Sequence, residues 1–340
     1  MKTIQYCLLG AFLICCPLFA NGQAFIFNQL FRPSLRMNTE YVHDFNNNKD
    51  QLHTGRANIN LIVPIKSKLD LKVKWGNILK IRKWKDVKKV AKIKAYQIFW
   101  NFRPQFSYLN FQPKDAGDYP FAKHPQLNYG FSTGITGIHL LPKMKLLFYT
   151  INVGMNEDLQ SIRKPHPSGN LLLGIAHANR LIFYWYYGLY VSYSNGRVLP
   201  APFIGIQANI AKRLWLNITL PVQLRLSWKA SKKVKLDFVT GISGFSGGFG
   251  LEDLSKNVVR YDFSAFQVRS GLMFTAKLGK QASLYLEAGM VPYRQVNWNS
   301  KNKIFEKPEL GYLNTYGALS LFFTFHKSLL SSTIDQIVIF

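Results

Sequence analysis

Cysteine is missing from all but the first 16 of the 340 residues, where Cys7, Cys15 and Cys16 stand. The rest of the chain therefore excludes a disulfide-stapled secreted scaffold and a thiolate metal site. Acidic residues are scarce, 17 against 43 Lys and Arg, for a formal charge of +26. Long apolar runs are missing after the first 20 residues. The stretch from Leu181 to Tyr190 is bounded by Arg180 and broken by Gly188, so nothing reaches the roughly 20 residues a membrane helix needs. The seven histidines show no H-x-x-x-H spacing. The expectation is therefore no metal and no cofactor.

What is present begins with an export signal. Met1-Lys2 is positive, Leu8 to Phe19 is apolar but short, and Ala20-Asn21-Gly22 supplies small residues before a cut. Residues 1–22 read as a cleaved signal peptide that leaves Gln23 first. Lipidation is disfavoured because Ile14 precedes Cys15 and Cys15 precedes Cys16. An exported chain with a pI near 10.0 has little use for nucleic acid. An outer membrane offers a different polyanion, the phosphates of lipopolysaccharide, and a basic barrel lumen favours anions.

Hydrophobicity in the body of the chain alternates with period two. Leu69, Leu71, Val73 and Trp75 oppose Lys68, Asp70, Lys72 and Lys74. Val222, Leu224, Leu226 and Trp228 oppose Gln223, Arg225, Ser227 and Lys229. Val234, Leu236 and Phe238 oppose Lys233, Lys235 and Asp237, and Leu284, Leu286, Ala288 and Met290 oppose Ser283, Tyr285, Glu287 and Gly289. Segments of this kind, with 15% aromatics, are the signature of a transmembrane β-barrel, apolar toward lipid and polar toward the lumen. The fold class expected is all-β: an antiparallel outer-membrane barrel of about 12–14 strands. Leu220-Pro221-Val222 reads as a tight turn or a bulge.

Short connections are expected at Lys66-Ser67-Lys68, Pro142-Lys143, Ala211-Lys212-Arg213, Ala230-Ser231-Lys232 and Leu278-Gly279-Lys280. Longer polar ones are expected at Gly76–Lys92, Asn110–Gln126, Glu157–Asn170, Gly244–Lys256 and Val296–Lys307. The asymmetry predicts the two sets on opposite rims, with the long loops outside the cell. One barrel uses residues 23–340. The alternation Leu319, Leu321, Phe323, Phe325 marks its last strand, and a short tail begins at 326.

The stretch Tyr261-Asp262-Phe263 through Arg269-Ser270-Gly271-Leu272, Leu284-Tyr285-Leu286-Glu287-Ala288-Gly289 and Tyr293-Arg294 resembles a domain-of-unknown-function family of bacterial outer-membrane β-barrel proteins. Leu220-Pro221 followed by Leu224-Arg225-Leu226-Ser227-Trp228 is similar to an earlier part of that family. The resemblance covers about 199–325 best. It implies the fold and the membrane, and it supplies no catalytic or binding residues.

Three constellations were weighed for chemistry. His139 with Ser132 and Asn128, or His177 with Asn179, are the candidates for a lipid hydrolase or acyltransferase acting on lipid A or phospholipid. His139 and Ser132 stand at odd separation, hence on opposite faces of a strand, and no serine neighbours His177. Gly241 to Gly250 is glycine-rich but lacks the lysine of a phosphate loop, so it reads as a flexible external loop. Lys80 to Lys92 interleaves cations with Ile81, Trp84 and Val87, as solvated or anion-binding segments do. The lumen cations expected are Lys72, Lys74, Arg225 and Lys235. The function expected is a barrel without a catalytic site, a narrow anion-favouring channel or a structural surface protein, with the lipid-modifying enzyme as the alternative. Outer-membrane lipids including lipopolysaccharide and the barrel-assembly machinery are the partners expected.

Overall fold

A computed structural model describes residues 33–45, 50–73, 91–112, 126–141, 145–158, 166–180, 183–194, 197–252, 258–279, 281–300 and 314–325. Residues 1–22, where the export signal is expected, Lys74, the stretch 80–90 and the residues from 326 lie outside them. Fourteen strands follow in order: β1 (Ser34–Asp44), β2 (Gln51–Val73), β3 (Ala91–Gln112), β4 (Gln126–Leu141), β5 (Lys145–Asp158), β6 (His166–Arg180), β7 (Phe183–Ser194), β8 (Arg197–Ala211), β9 (Leu214–Leu220), β10 (Gln223–Trp228), β11 (Val234–Glu252), β12 (Val258–Lys277), β13 (Ala282–Ser300) and β14 (Asn314–Thr324). Each pairs antiparallel with its sequence neighbours, and β1 pairs with β14 from Ser34↔Thr324 to Asp44↔Asn314. The sheet has no edge left at that seam. Closure is what lets a sheet cross lipid, because every open ladder group would otherwise face hydrocarbon.

The period-two expectation matches the wall. In β10, Gln223, Arg225 and Ser227 are buried inside while Leu224 and Trp228 are exposed. The exposed face carries an apolar band including Ile59, Ile135, Ile151, Leu173, Leu189, Leu272, Leu286 and Leu319. Water would not tolerate so broad an apolar surface, whereas lipid requires it. Aromatics gather at both ends of the band. Toward one end Tyr41, Tyr129, Tyr193 and Tyr293 are exposed. Toward the other, His139 stacks with Tyr96 and Tyr149, and His177 lies on Trp185 with centroids 4.3 Å apart. These are the two interfacial girdles of a membrane barrel.

Strand direction sorts the connections. The rim where β1 starts and β14 ends also carries the turns 142–144, 181–182, 212–213, 229–233 and 278–281. The opposite rim carries 113–125, 159–165, 253–257 and 301–313, so the expected opposition of short and long connections holds for most of them. Two expectations need correction. Lys66-Ser67-Lys68 is no turn: β2 runs through it, paired with Tyr96 to Ile98 after a bulge between Pro64 and Lys66. The connection 74–90 leaves from the short-turn rim, because β2 ends there at Val73 and β3 begins there at Ala91. An exposed lysine pair between apolar neighbours imitates a turn in sequence, although it sits where a strand leaves the membrane. Single cysteines at Lys114 and Lys301 are expected to react with an impermeant maleimide on intact cells, and one at Lys280 only after the outer membrane is opened. The reverse pattern would invert the barrel.

Candidate functional site in the barrel lumen

The inner wall has two chemically different sides. On β2 to β8, Ile62, Phe99, Ile138, Phe148, Ala176, Tyr186 and Phe203 form one buried apolar cluster. The rings fit because glycines face them. A methyl on Gly205 would overlap the Tyr186 ring, and one on Gly188 would overlap the Phe203 ring and the Leu173 carbonyl oxygen. A bare backbone there lets the rings lie flat against the wall. The Tyr186 hydroxyl reaches Thr219 at 2.5 Å and donates to Asn217 Oδ1 at 3.2 Å, which satisfies its one polar atom.

The other side, β10 to β14 and β1 to β3, is charged. Glu40 on β1 accepts from Arg269 on β12 at 2.8 Å, and Arg56 on β2 stands 4.0 Å from its other oxygen. Glu287 on β13 accepts from the Tyr316 hydroxyl at 2.8 Å, and Arg269 lies over the Tyr316 ring. Arg36 donates to Asn38 and lies over the Tyr285 ring. Lys235 pairs with Asp237 at 2.9 Å. Arg294 donates to the Leu52 carbonyl at 2.5 Å and to Thr54 at 2.9 Å. The cations Arg36, Arg56, Arg103, Arg225, Lys235, Arg269 and Arg294 thus share a wall with Glu40, Asp44, Asp237 and Glu287, a surplus of three positive charges in this set. Ion pairs fix individual side chains, while the surplus sets the sign of the field along this wall.

Of the four cations expected inside, the structure brings two together. Arg225 is buried in the lumen beside Met273, with NH2 3.9 Å from its sulfur. Lys235 is half-buried on the neighbouring strand, whose ladder pairs Arg225 with Val239. Lys72 pairs with Lys92 in the β2–β3 ladder, past Ile62 and Ala95, where the described pairing with β1 and β4 ends. Lys74 lies outside the described residues. The sequence pattern assigns no lumen role to Arg36, Arg56, Arg103, Arg269 or Arg294, although Arg36, Asn38 and Glu40 alternate with Met37, Thr39 and Tyr41.

The glycine-rich stretch is a strand and not an external loop, which corrects a third expectation. Gly241 to Gly250 belong to β11, paired residue for residue with β12 from Arg269 back to Arg260. Here β11 leaves the wall and crosses the lumen, coming within 8 Å of β4 and β5 between Cα atoms. Arg56 donates to the Gly244 carbonyl at 3.2 Å, Asn128 to the Gly248 carbonyl at 3.1 Å, and the Ser194 and Ser246 hydroxyls lie 3.0 Å apart. Glycine permits the close passage, since a Cβ on Gly247 would press on the Asn128 amide. The lumen is thereby narrowed in its long-loop half.

The enzyme candidates do not converge. Ser132 alternates with exposed Phe131 and stands on the inner parity of β4, while His139 is on the outer parity, in the girdle of the short-turn rim. His177 stands in the same girdle.

A family model described as a domain of unknown function, DUF6268, matches residues 87–323. The chain belongs to that family. The DUF6268 match runs from just before β3 to Phe323 in β14, so Arg225 and Lys235 fall inside it and Lys72 and Lys74 before it. No curated protein sequence matches the chain. Similar solved folds include the COG4313 outer membrane channel from Pseudomonas putida F1, at 10% identity and a TM-score of 0.41, covering 86% of this chain and 96% of that one. The transport unit of the autotransporter AIDA-I from Escherichia coli gives 9% identity and 0.36, over 93% and 97%. The translocator domain of the autotransporter NalP from Neisseria meningitidis gives 10% and 0.33, over 86% and 90%. At these values nothing carries over from those proteins to this DUF6268 chain.

Proposed function

We propose that this DUF6268 chain is exported by a cleaved signal, inserts in the bacterial outer membrane, and passes small anions through a constricted lumen. The observation that supports the reading is the surplus of arginine and lysine over carboxylate on the inner wall, with Arg225 and Lys235 on adjacent strands. Cations focused in a low-dielectric passage raise local anion concentration, and the effect weakens as salt screens it. The narrowing by β11 calls for small currents, well below those of an open porin.

The test is single-channel recording on refolded protein under a potassium chloride gradient. Wild type is expected to favour chloride, more strongly at low salt. Arg225→Gln with Lys235→Gln leaves an amide donor at 235 for Asp237, is checked for folding by heat-modifiable gel mobility, and is expected to lower the chloride-to-potassium ratio. An absence of current, or an unmoved ratio, would leave a structural surface protein as the reading.

A further inference from the structure

β9 and β10 are only seven and six residues long. At about 3.3 Å per residue and a tilt near 40°, they climb roughly 15–18 Å of an apolar band about 25 Å tall. Their turn, Pro221-Val222, therefore lies inside the band, between exposed Leu220 and Leu224. The β8–β9 ladder ends at Ile204↔Leu220 and the β10–β11 ladder at Gln223↔Gly241. Beyond them, 197–203 of β8 and 242–252 of β11 have no strand between them among the described residues. Two strands are missing from the wall there, and β11 has turned inward from it, its Ser246 hydroxyl 3.0 Å from that of Ser194 on β7.

A gap of this kind is costly wherever open N–H groups face lipid, and its β8 and turn sides are poor in them. Pro200 and Pro202 on β8 and Pro221 at the turn have no N–H. Val222 N donates to the Thr219 carbonyl, and the Val222 carbonyl accepts from Ile242 N at 2.9 Å. Val198, Ile204 and Leu220 present apolar side chains around the opening. Behind it stands the glycine-rich half of β11, buried at both parities from Gly241 to Gly244 and from Gly247 to Phe249. Three contacts tether it across the lumen, through Arg56, Asn128 and Ser194. A strand with one neighbour, many glycines and a few polar tethers is the part of the wall that moves at least cost.

We propose that this gap is a lateral port, through which small apolar or amphipathic molecules pass between the lumen and the bilayer, with the glycine-rich half of β11 as its movable inner wall. The β8 and turn sides offer a polar solute few donors, while an alkyl chain or aromatic ring matches the apolar Val198, Ile204 and Leu220. The apolar cluster around Tyr186 and Phe203 lies on the β8 side of the opening and gives such a molecule a surface to follow inward.

Entry of N-phenyl-1-naphthylamine into whole cells, followed by its fluorescence, tests the port. Cells carrying the wild-type barrel are expected to take up the dye faster than cells without it. Ser194→Cys with Ser246→Cys places two thiols where hydroxyls now lie 3.0 Å apart, in a chain with no other cysteine after Cys16. Oxidation is expected to reduce dye entry to the level of cells without the barrel, and a reductant to restore it. Ile204→Trp with Leu220→Trp fills the opening from the lipid side and is expected to abolish the same entry without any redox step. Because those tryptophans stand outside the lumen, the chloride-to-potassium ratio should be unmoved, which separates a failure of the port from a failure of the anion reading. Dye entry no faster with the wild-type barrel than without it, or wild-type entry in both variants, would overturn the port.

Discussion

Glu40→Ala is expected to lower the stability of the folded barrel by about 3–5 kcal/mol, the loss typical of removing one partner from a buried ion pair. Glu40 accepts a hydrogen bond from Arg269 at 2.8 Å and faces Arg56 at 4.0 Å. Both arginines are largely shielded from solvent, with side-chain exposures of 6% and 11%. Deleting the carboxylate strands two guanidinium groups among further cations, Arg36, Arg225 and Arg294. Glu40→Gln keeps an acceptor oxygen and the shape, so its loss should be smaller. The measurement is a urea titration of protein refolded into vesicles, with heat-modifiable gel mobility reporting the folded fraction. Wild-type midpoints for both variants would mean that the pair is well hydrated and carries no load.

Gly188→Ala is expected to cost about 1–3 kcal/mol in the same titration, the usual toll of overpacking. The added methyl meets a backbone oxygen, Leu173 O, and that atom moves only with its strand. It also meets the Phe203 ring, so Gly188→Ala with Phe203→Ala should cost less than the sum of the single changes. Gly317→Ala is the control, because a methyl there meets nothing within 4 Å and the position faces lipid. Equal effects at 188 and 317 would show that ring-on-glycine packing contributes nothing and that only strand propensity was sampled.

Period two was legible wherever a strand has lipid on one side and polar lumen on the other, as in β10 and the start of β11. It failed where that contrast lapses. Gly241 to Gly250 has no lipid-facing half, since this part of β11 is enclosed on both sides, and glycine density alone imitates a loop. Lys66 and Lys68 read as a turn because a strand leaving the membrane turns polar before it ends. The site was half legible. The alternation puts Arg225 and Lys235 on the polar face, and Lys235 meets Asp237 two residues on, yet Arg225 meets Met273 of β12 and Arg269 of β12 meets Glu40 of β1, and no local pattern shows either. The short β9–β10 hairpin was visible as Leu220-Pro221-Val222, but what it removes from the wall appears only when the ladders of β8 and β11 are followed past it.

The seam between β1 and β14 bears on how the molecule is made. Thr39 donates from its hydroxyl to the Leu319 carbonyl across a separation of 280 residues, and the pairing of Ser34 with Thr324 in the same seam spans still more of the chain. Until Asn314 to Thr324 arrive, β1 waits with one flank unpaired, and so does β13. Contacts so distant in sequence slow folding, and waiting flanks invite pairing with a second chain. A late docking of the last strand is therefore built into the connectivity. Chains that end short of Asn314 should accumulate as protease-sensitive, aggregation-prone species however well the first thirteen strands are specified.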